Sequence, residues 1–258
     1  MKIDLSGRKA LITGSTAGIG FAVAQAMAEC GADVFVNGRD AARTDEAAAR
    51  IGIKARAVAG DVGTAQGCDA IHAATGPLDI LVNNAGIFEP VDFLDTDDAI
   101  WDRHWSVNVM SAVRLSRAYA PAMVAQGWGR IVMLGSESAF NIPAEMIHYG
   151  VSKSADVAFA RGLAKRLAGT GVTVNSVLPG PTLSEGLAQM LESQVTETGQ
   201  SIEQVAAAFV MANRPTSIIR RAASVDEVAA MIAFVASPLS SATTGASLRV
   251  DGGVIDSL

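Results

Sequence analysis

Aromatic residues make up only 5% of this 258-residue chain, and it holds just two cysteines. Charged residues are sparse as well, at 18%, and they leave a net charge of −6 rather than a basic surplus. Each scarcity excludes something. Cys30 and Cys68 stand far apart and form no metal-type cluster, so neither a metal site nor a disulfide framework is expected, and both read as reduced, packed thiols. Basic residues are scattered, which leaves no surface suited to nucleic acid. No run of about 18 apolar residues occurs, so no membrane span is expected. The opening MKIDLSGRKALITG has no apolar core of a signal peptide. Together these absences predict a cytoplasmic protein working in solution. What is plentiful is aliphatic: half the residues are hydrophobic, and 25 are glycine. Alanine, valine, isoleucine and leucine in such excess suit buried parallel strands covered by alanine-rich helices. The length is ample for a substantial core.

Short apolar runs alternate with longer helical patterns. KALIT (9–13), DVFVN (33–37), KARAVA (54–59), LDILVN (78–83), RIVMLG (130–135), VTVNSVL (172–178) and SLRVD (247–251) read as strands, and most are continuous rather than alternating, as in strands buried on both faces. Helical patterns fall at 18–30, 41–50, 65–75, 98–125, 150–168 and 225–236. This order predicts an α/β fold: one Rossmann-type, doubly wound parallel sheet of about seven strands with helices on both faces. No repeat or Pro/Gly linker divides the chain, so residues 1–258 are expected to form a single domain. Residues 181–222 break the rhythm. They read either as a surface helix pair or, because they follow a strand's carboxyl end, as a flap over a substrate.

Five local patterns carry chemistry. The first strand runs into TGSTAGIG, where Gly14, Gly18 and Gly20 permit a tight turn and close backbone approach to a pyrophosphate at the next helix's N-terminus. Ser15, Thr16 and Ile19 share that loop and are expected beside the dinucleotide. The fourth strand closes on NNAG, whose Asn84, Ala85 and Gly86 are expected to brace the sheet edge where the cofactor lies. The fifth ends on GSES, which puts Ser136 thirteen residues before Tyr149, with Ser138 as a second choice. Tyr149 and Lys153 stand at i and i+4 in HYGVSK, one helical turn apart on the same face. An ammonium that close favours the phenolate, which equips a tyrosine for proton transfer near neutral pH. Asn108, in HWSVNVMSA, is a polar residue in an apolar helical stretch, fit either to bend the helix or to hold a water.

TGxxxGIG, NNAG, the helical asparagine, the serine, YxxxK and a PG turn, in this order, resemble the short-chain dehydrogenase/reductase family from LSGRKALITG to VDGG. The resemblance implies that Ser136 polarises a carbonyl and Tyr149 transfers the proton. It implies that Lys153 tunes the tyrosine and binds the nicotinamide ribose, and that Asn108 holds a relay water. It further assigns Asp61 and Val62 to the adenine, and Pro179, Gly180, Thr182 and Ser184 to the nicotinamide carboxamide. The reaction implied joins a ketone and a secondary alcohol, both small molecules; non-redox chemistry on the same fold and a cofactor-sensing regulator are the alternatives. At the end of the second strand an acidic residue usually selects NAD(H). Here Gly38 stands instead, followed by Arg39, so NADP(H) is favoured and NAD(H) remains open. Phe140, Ile142, Glu145, His148, Leu187, Met190 and Leu191 are the substrate-pocket candidates, His148 as wall or interface. Apolar residues on several sides of 98–125 and 150–168 suggest a two-fold helix contact. With a second contact through the last strand and 225–236, the resemblance implies a homotetramer.

Overall fold

The apolar runs become a parallel sheet in the computed structural model, which describes residues 2–257. Its strands are β1 (Lys9–Ile12), β2 (Asp33–Gly38), β3 (Ala55–Ala59), β4 (Ile80–Asn83), β5 (Gly129–Leu134) and β6 (Val172–Pro179). A two-residue pair, β7 (Thr182–Leu183) and β8 (Ala223–Ser224), stands apart, and β9 (Ser247–Val250) completes the main sheet. The spatial order is β3-β2-β1-β4-β5-β6-β9, all parallel. The chain moves outward from β1 to β3, then crosses back to lay β4 on the other side of β1. Loops leaving β1 and β4 therefore diverge, and this reversal opens a crevice at their carboxyl ends. Strand β6 shows why such runs are unbroken: all eight of its residues are buried, because helices cover both faces.

Helices α1 (Gly18–Glu29), α2 (Ala41–Ile51) and α9 (Val225–Val235) cover one face, meeting Ile12, Val34 and Val82 through Val23, Met27 and Ile232. Helices α3 (Ala65–Thr75), α5 (Ser111–Ala125) and α6 (Ile147–Arg166) cover the other, where Leu115, Tyr119 and Met123 pack on Leu11, Leu81 and Ile131. Helix starts follow side-chain capping. Asp40 accepts from the Arg43 amide, Thr64 from that of Gly67, and Ser224 forms a reciprocal box with Glu227.

Two expectations need correction. The helix expected over 98–125 is α4 (Asp98–His104), a π-turn over Trp105–Met110, and α5. Asn108 lies within that π-turn, where its side chain bonds outside the helix. The helix expected from 150 starts at Ile147, after a single turn of 3-10 helix at Ala144–Met146. Residues 181–222 hold two helices, α7 (Glu185–Thr198) and α8 (Ile202–Asn213), paired over their own small core of Leu191, Val205 and Ala206. Ser184 and Ser201 cap them, and the β7–β8 ladder ties both ends of the insert together.

Candidate active site

A cavity of about 750 Å³ occupies the crevice at the carboxyl ends of the strands. Its floor is the loop between β1 and α1. Gly14 has φ near +60°, and a Cβ there would stand 2.9 Å from the Ala85 Cα. A Cβ on Gly20 would run into the Asn84 amide and lie 2.5 Å from the Gly14 carbonyl. The tight packing explains the glycines as much as the cavity does. No side chain caps α1, whose N-cap is Ala17, so its first-turn amides lack a side-chain acceptor at the cavity wall.

The NNAG turn holds this loop from beside it. The Asn84 side-chain amide donates to the carbonyls of Thr13 (2.7 Å) and Gly14 (2.9 Å). Thr13 Oγ1 accepts from the amides of Asn84 (3.0 Å) and Ala85 (2.9 Å). Asn37, unremarked in the sequence, donates to the carbonyls of Val58 and Gly60 and accepts from the Gly14 amide. Its burial in a strand, where an apolar residue is ordinary, was the available signal.

Gly14, Thr16, Gly18, Ile19, Gly20, Arg39, Asp61, Val62, Asn84, Ala85, Gly86, Pro179, Gly180, Thr182 and Ser184 all line this one cavity, together with Ser136, Tyr149 and Lys153. Ser15 does not. It is fully buried, its hydroxyl donating to the Ile12 carbonyl (2.7 Å) and accepting from the Asn37 amide (2.9 Å), so it fastens β1 to β2 instead of facing a ligand. Asn108 lies behind the wall. Its Oδ1 accepts from the Ile87 amide (2.8 Å), and its Nδ2 donates to the Ile87 carbonyl (3.0 Å) and Ser152 Oγ (2.9 Å).

Among the pocket candidates, Glu145, Leu187 and Met190 reach the cavity. Phe140 and Ile142 are exposed outside it, and Leu191 is buried under the helix pair. His148 is not a pocket wall: it is buried, its Nε2 lies 3.1 Å from the Glu89 carbonyl, and its ring packs edge-on against His104 at 4.3 Å. Helical geometry turns it about 100° from Tyr149, toward α4. The cavity also holds residues that the sequence did not single out: Phe88, Glu137, Phe209, Asn213 and Arg214.

Ser136 Oγ accepts from the Ser138 amide (3.1 Å), while the Ser138 hydroxyl is taken by Glu137 (3.1 Å). Tyr149 packs edge-on against Phe88 at 6.2 Å, and Lys153 Nζ stands 6.0 Å from the tyrosine ring centre. Lys153 is nearly fully buried and donates to the Leu134 carbonyl (2.8 Å) and Asp156 (3.2 Å). Burial opposes its charge, but the nearby Asp156 and Tyr149 hold the ammonium, and its pKa is raised. Asp156 is equally buried, and Oδ1 has no hydrogen-bond partner among the described residues. Burial pushes its carboxyl up to about 6, although Lys153 pulls the other way.

The folded chain thus holds the Asp156 proton more tightly than the unfolded chain does. The resulting stability is fully present below pH 3.8 and lost as pH rises through about 6. Lys153 stays charged throughout this range. Asp156→Asn carries no proton to lose, so wild type should lose stability relative to this variant between pH 4 and pH 6. Raising a carboxyl from 3.8 to about 6 corresponds to about 3 kcal/mol at most. Urea unfolding of both proteins across that range checks this; a pH-independent difference would mean that the carboxyl ionises normally.

The structure thus defines a doubly wound α/β protein whose glycine loop, serine and tyrosine–lysine turn share one crevice at the point where the strand order reverses. A family model described as short chain dehydrogenase matches residues 8–195, and the chain belongs to the short-chain dehydrogenase/reductase family. It is an oxidoreductase of that family, whose members use NAD(H) or NADP(H). An uncharacterized oxidoreductase of Bacillus subtilis, YvaG, is 43% identical with all of both chains covered. Galactitol 2-dehydrogenase (L-tagatose-forming) of Cereibacter sphaeroides is 39% identical over 96% of this chain and 95% of its own. Among solved structures, L-sorbose reductase from Gluconobacter frateurii, complexed with NADPH and L-sorbose, is similar with a TM-score of 0.93. It is 32% identical, with both chains fully covered.

Proposed function

We propose that this protein interconverts a ketone and a secondary alcohol, with Tyr149 as proton donor and acceptor and NADP(H) as the preferred cofactor. The observation that carries the reading is the shared cavity: Ser136, Tyr149 and Lys153 line it together with the uncapped start of α1. The residues fit a dinucleotide, since the glycine loop lines the cavity and the uncapped α1 amides beside it suit a pyrophosphate. When bound, the nicotinamide supplies or accepts the hydride. The protein orients and moves the proton. Ser136 Oγ donates to the substrate oxygen, Tyr149 Oη gives or takes the proton, and Lys153 holds positive charge beside the tyrosine while offering an N–H to the ribose.

Gly86 adjoins the last link of the relay. A Cβ there would stand 3.4 Å from Lys153 Nζ and 3.5 Å from Asn108 Oδ1, so its lack of a side chain leaves the two polar groups open to a shared water. The family resemblance assigns Asp61 and Val62 to the adenine, and Pro179, Gly180, Thr182 and Ser184 to the carboxamide; all six line the cavity.

Cofactor choice rests on Gly38 and Arg39. A Cβ on Gly38 would approach Thr16 Cγ2 to 2.5 Å and Thr44 Oγ1 to 2.7 Å, so an acidic side chain has no room there. Arg39 is exposed at the rim, and Asp40 turns its carboxylate to the α2 amides. A guanidinium without a competing carboxylate suits a 2′-phosphate. The test is a panel of ketones and alcohols with both cofactors, followed by nicotinamide absorbance. Faster turnover with NADPH than with NADH is expected. Tight cofactor binding with no absorbance change for any carbonyl would favour a sensor, and better turnover with NADH would overturn the reading of Arg39.

The chain acts as one catalytic domain, with the α7–α8 pair as a flap: Leu187, Met190 and Phe209 reach the cavity from it. A reducing compartment such as the cytoplasm suits Cys30 and Cys68, whose thiols burial pushes up in pKa. No helix among the described residues is long and apolar enough to cross a membrane. We also propose a homotetramer. Along α6, Val151, Val157, Phe159 and Leu163 are only half-buried, and among the described residues β9 pairs with β6 alone at the sheet edge. Light scattering at low micromolar concentration should give four times the 26.5 kDa chain mass; a fully active monomer would refute it.

A further inference from the structure

Glu137 follows directly on Ser136, yet the mechanism above gives it no task. Its side chain is 4% exposed and lines the cavity. Oε1 accepts from Arg214 Nε at 2.8 Å and from Ser138 Oγ at 3.1 Å. Oε2 is buried and has no hydrogen-bond partner among the described residues. A buried carboxylate oxygen left alone is costly, and ligand sites are where such groups find their partner.

We propose that this oxygen accepts a hydrogen bond from a hydroxyl beside the reacting carbon, and that the substrate is therefore a neutral α-hydroxy ketone or the corresponding vicinal diol. The inference rests on the oxidoreductase reading and narrows its substrate class. Charge disfavours an anion. Arg214, from the end of α8, pairs with Glu137 and lies 3.6 Å from Glu145, so two carboxylates face one guanidinium. An anionic substrate meets an excess of negative charge. A cationic one is drawn by that excess but must sit beside the Arg214 guanidinium bonded to Oε1 at 2.8 Å, and the aminoacetone arm of the experiment decides that balance. A carboxylate can only accept, so its partner must be a donor, and a hydroxyl is the neutral donor that sits on a carbon next to a carbonyl. A purely aliphatic ketone leaves Oε2 desolvated and unpaired, which is how a polar site rejects an analogue lacking the hydroxyl. The contact also links chemistry to the flap, because the Glu137–Arg214 pair joins the β5 end to α8 across 77 residues.

The experiment compares ketones of one skeleton: hydroxyacetone, 2-butanone, aminoacetone and pyruvate, each with NADPH. In wild type, hydroxyacetone should exceed all three others in kcat/KM. Part of its lead over 2-butanone is intrinsic reactivity, so the deciding quantity is how that ratio changes in Glu137→Gln. It should fall about tenfold or more, because a hydrogen bond to a carboxylate is replaced by one to a neutral amide. Taking a ratio cancels any general loss of activity. If the variant fails to fold, wild type with NADP⁺ should still favour 1,2-propanediol over 2-butanol by about tenfold. A ratio unmoved by Glu137→Gln, equal use of both alcohols, or preference for aminoacetone or pyruvate overturns the assignment while leaving the oxidoreductase intact. No turnover with any ketone, despite NADPH binding by fluorescence, overturns the oxidoreductase reading and this assignment with it.

Discussion

Tyr149→Phe should fold like the parent protein, bind NADPH with similar affinity and lose turnover by about 10²-fold or more. The structure explains why stability should survive. The tyrosine ring packs edge-on against Phe88 at 6.2 Å, a contact that phenylalanine keeps. The phenol makes no hydrogen bond within the described chain, so no buried partner is stranded by its removal. What disappears is the hydroxyl proposed to exchange a proton with the substrate oxygen, on a ring whose centre stands 6.0 Å from the Lys153 ammonium. Ser136 and the cofactor cradle stay in place, so residual rate comes from orientation alone. Steady-state kinetics on the best ketone from the substrate panel, with cofactor affinity measured separately by fluorescence, gives the answer. Retention of most activity would show that another group supplies the proton.

The sheet and the loops at its carboxyl ends were legible because each depends on neighbours close in sequence. Continuous apolar runs mark strands buried on both faces, and all seven strands of the main sheet fall within a residue or two of the expected spans. The glycine loop was legible for a similar reason, although its packing adds something: Gly20 is confined by the Asn84 amide from β4, a contact no local pattern announces. Ser15 was misread on adjacency. It sits among cavity residues in the chain, but the turn that follows β1 directs its hydroxyl inward to Ile12 and Asn37.

Partners distant in sequence were the ones missed. Glu137 reads as a polar strand-end residue until the fold brings Arg214 to it from the far end of α8. Asn37 looks like a chance polar residue until β3 and the glycine loop close around it. Asn108 was legible only as two options, and its side chain does hold a bent helix, through Ile87 in the NNAG connection. Asp156 was different, since it lies one turn beyond Lys153 on the same helix. A charged residue amid SKSADVAFA reads as solvent-facing, and its burial follows from α6 packing on β5 and β6 and against the π-turn at Trp105–Met110. The signal available was the i, i+3 spacing of opposite charges.

Lys153→Ala separates two roles, because this side chain lines the cavity and bonds within the interior at once. Turnover should fall by about 10²-fold or more as the tyrosine loses its neighbouring charge, and NADPH affinity should fall about tenfold as the ribose loses a donor. Stability should fall too, since the ammonium now bonded to Asp156 (3.2 Å) and the Leu134 carbonyl (2.8 Å) leaves both without it. Removing one member of a buried pair costs about 3–5 kcal/mol when the other stays charged. Asp156 has a way out, because burial already holds its carboxyl at about 6 and loss of Lys153 leaves that push unopposed. The variant should therefore regain stability as pH falls and Asp156 takes up a proton. A double variant, Lys153→Met with Asp156→Leu, separates the two tasks. It removes both charges and fills the space with apolar atoms, so thermal stability should recover toward wild type while turnover and cofactor affinity stay low. Thermal melts, NADPH titration and kinetics on the same three proteins decide between the roles. If the double variant regains turnover along with stability, the lysine is structural and the proton relay assigned to it is wrong.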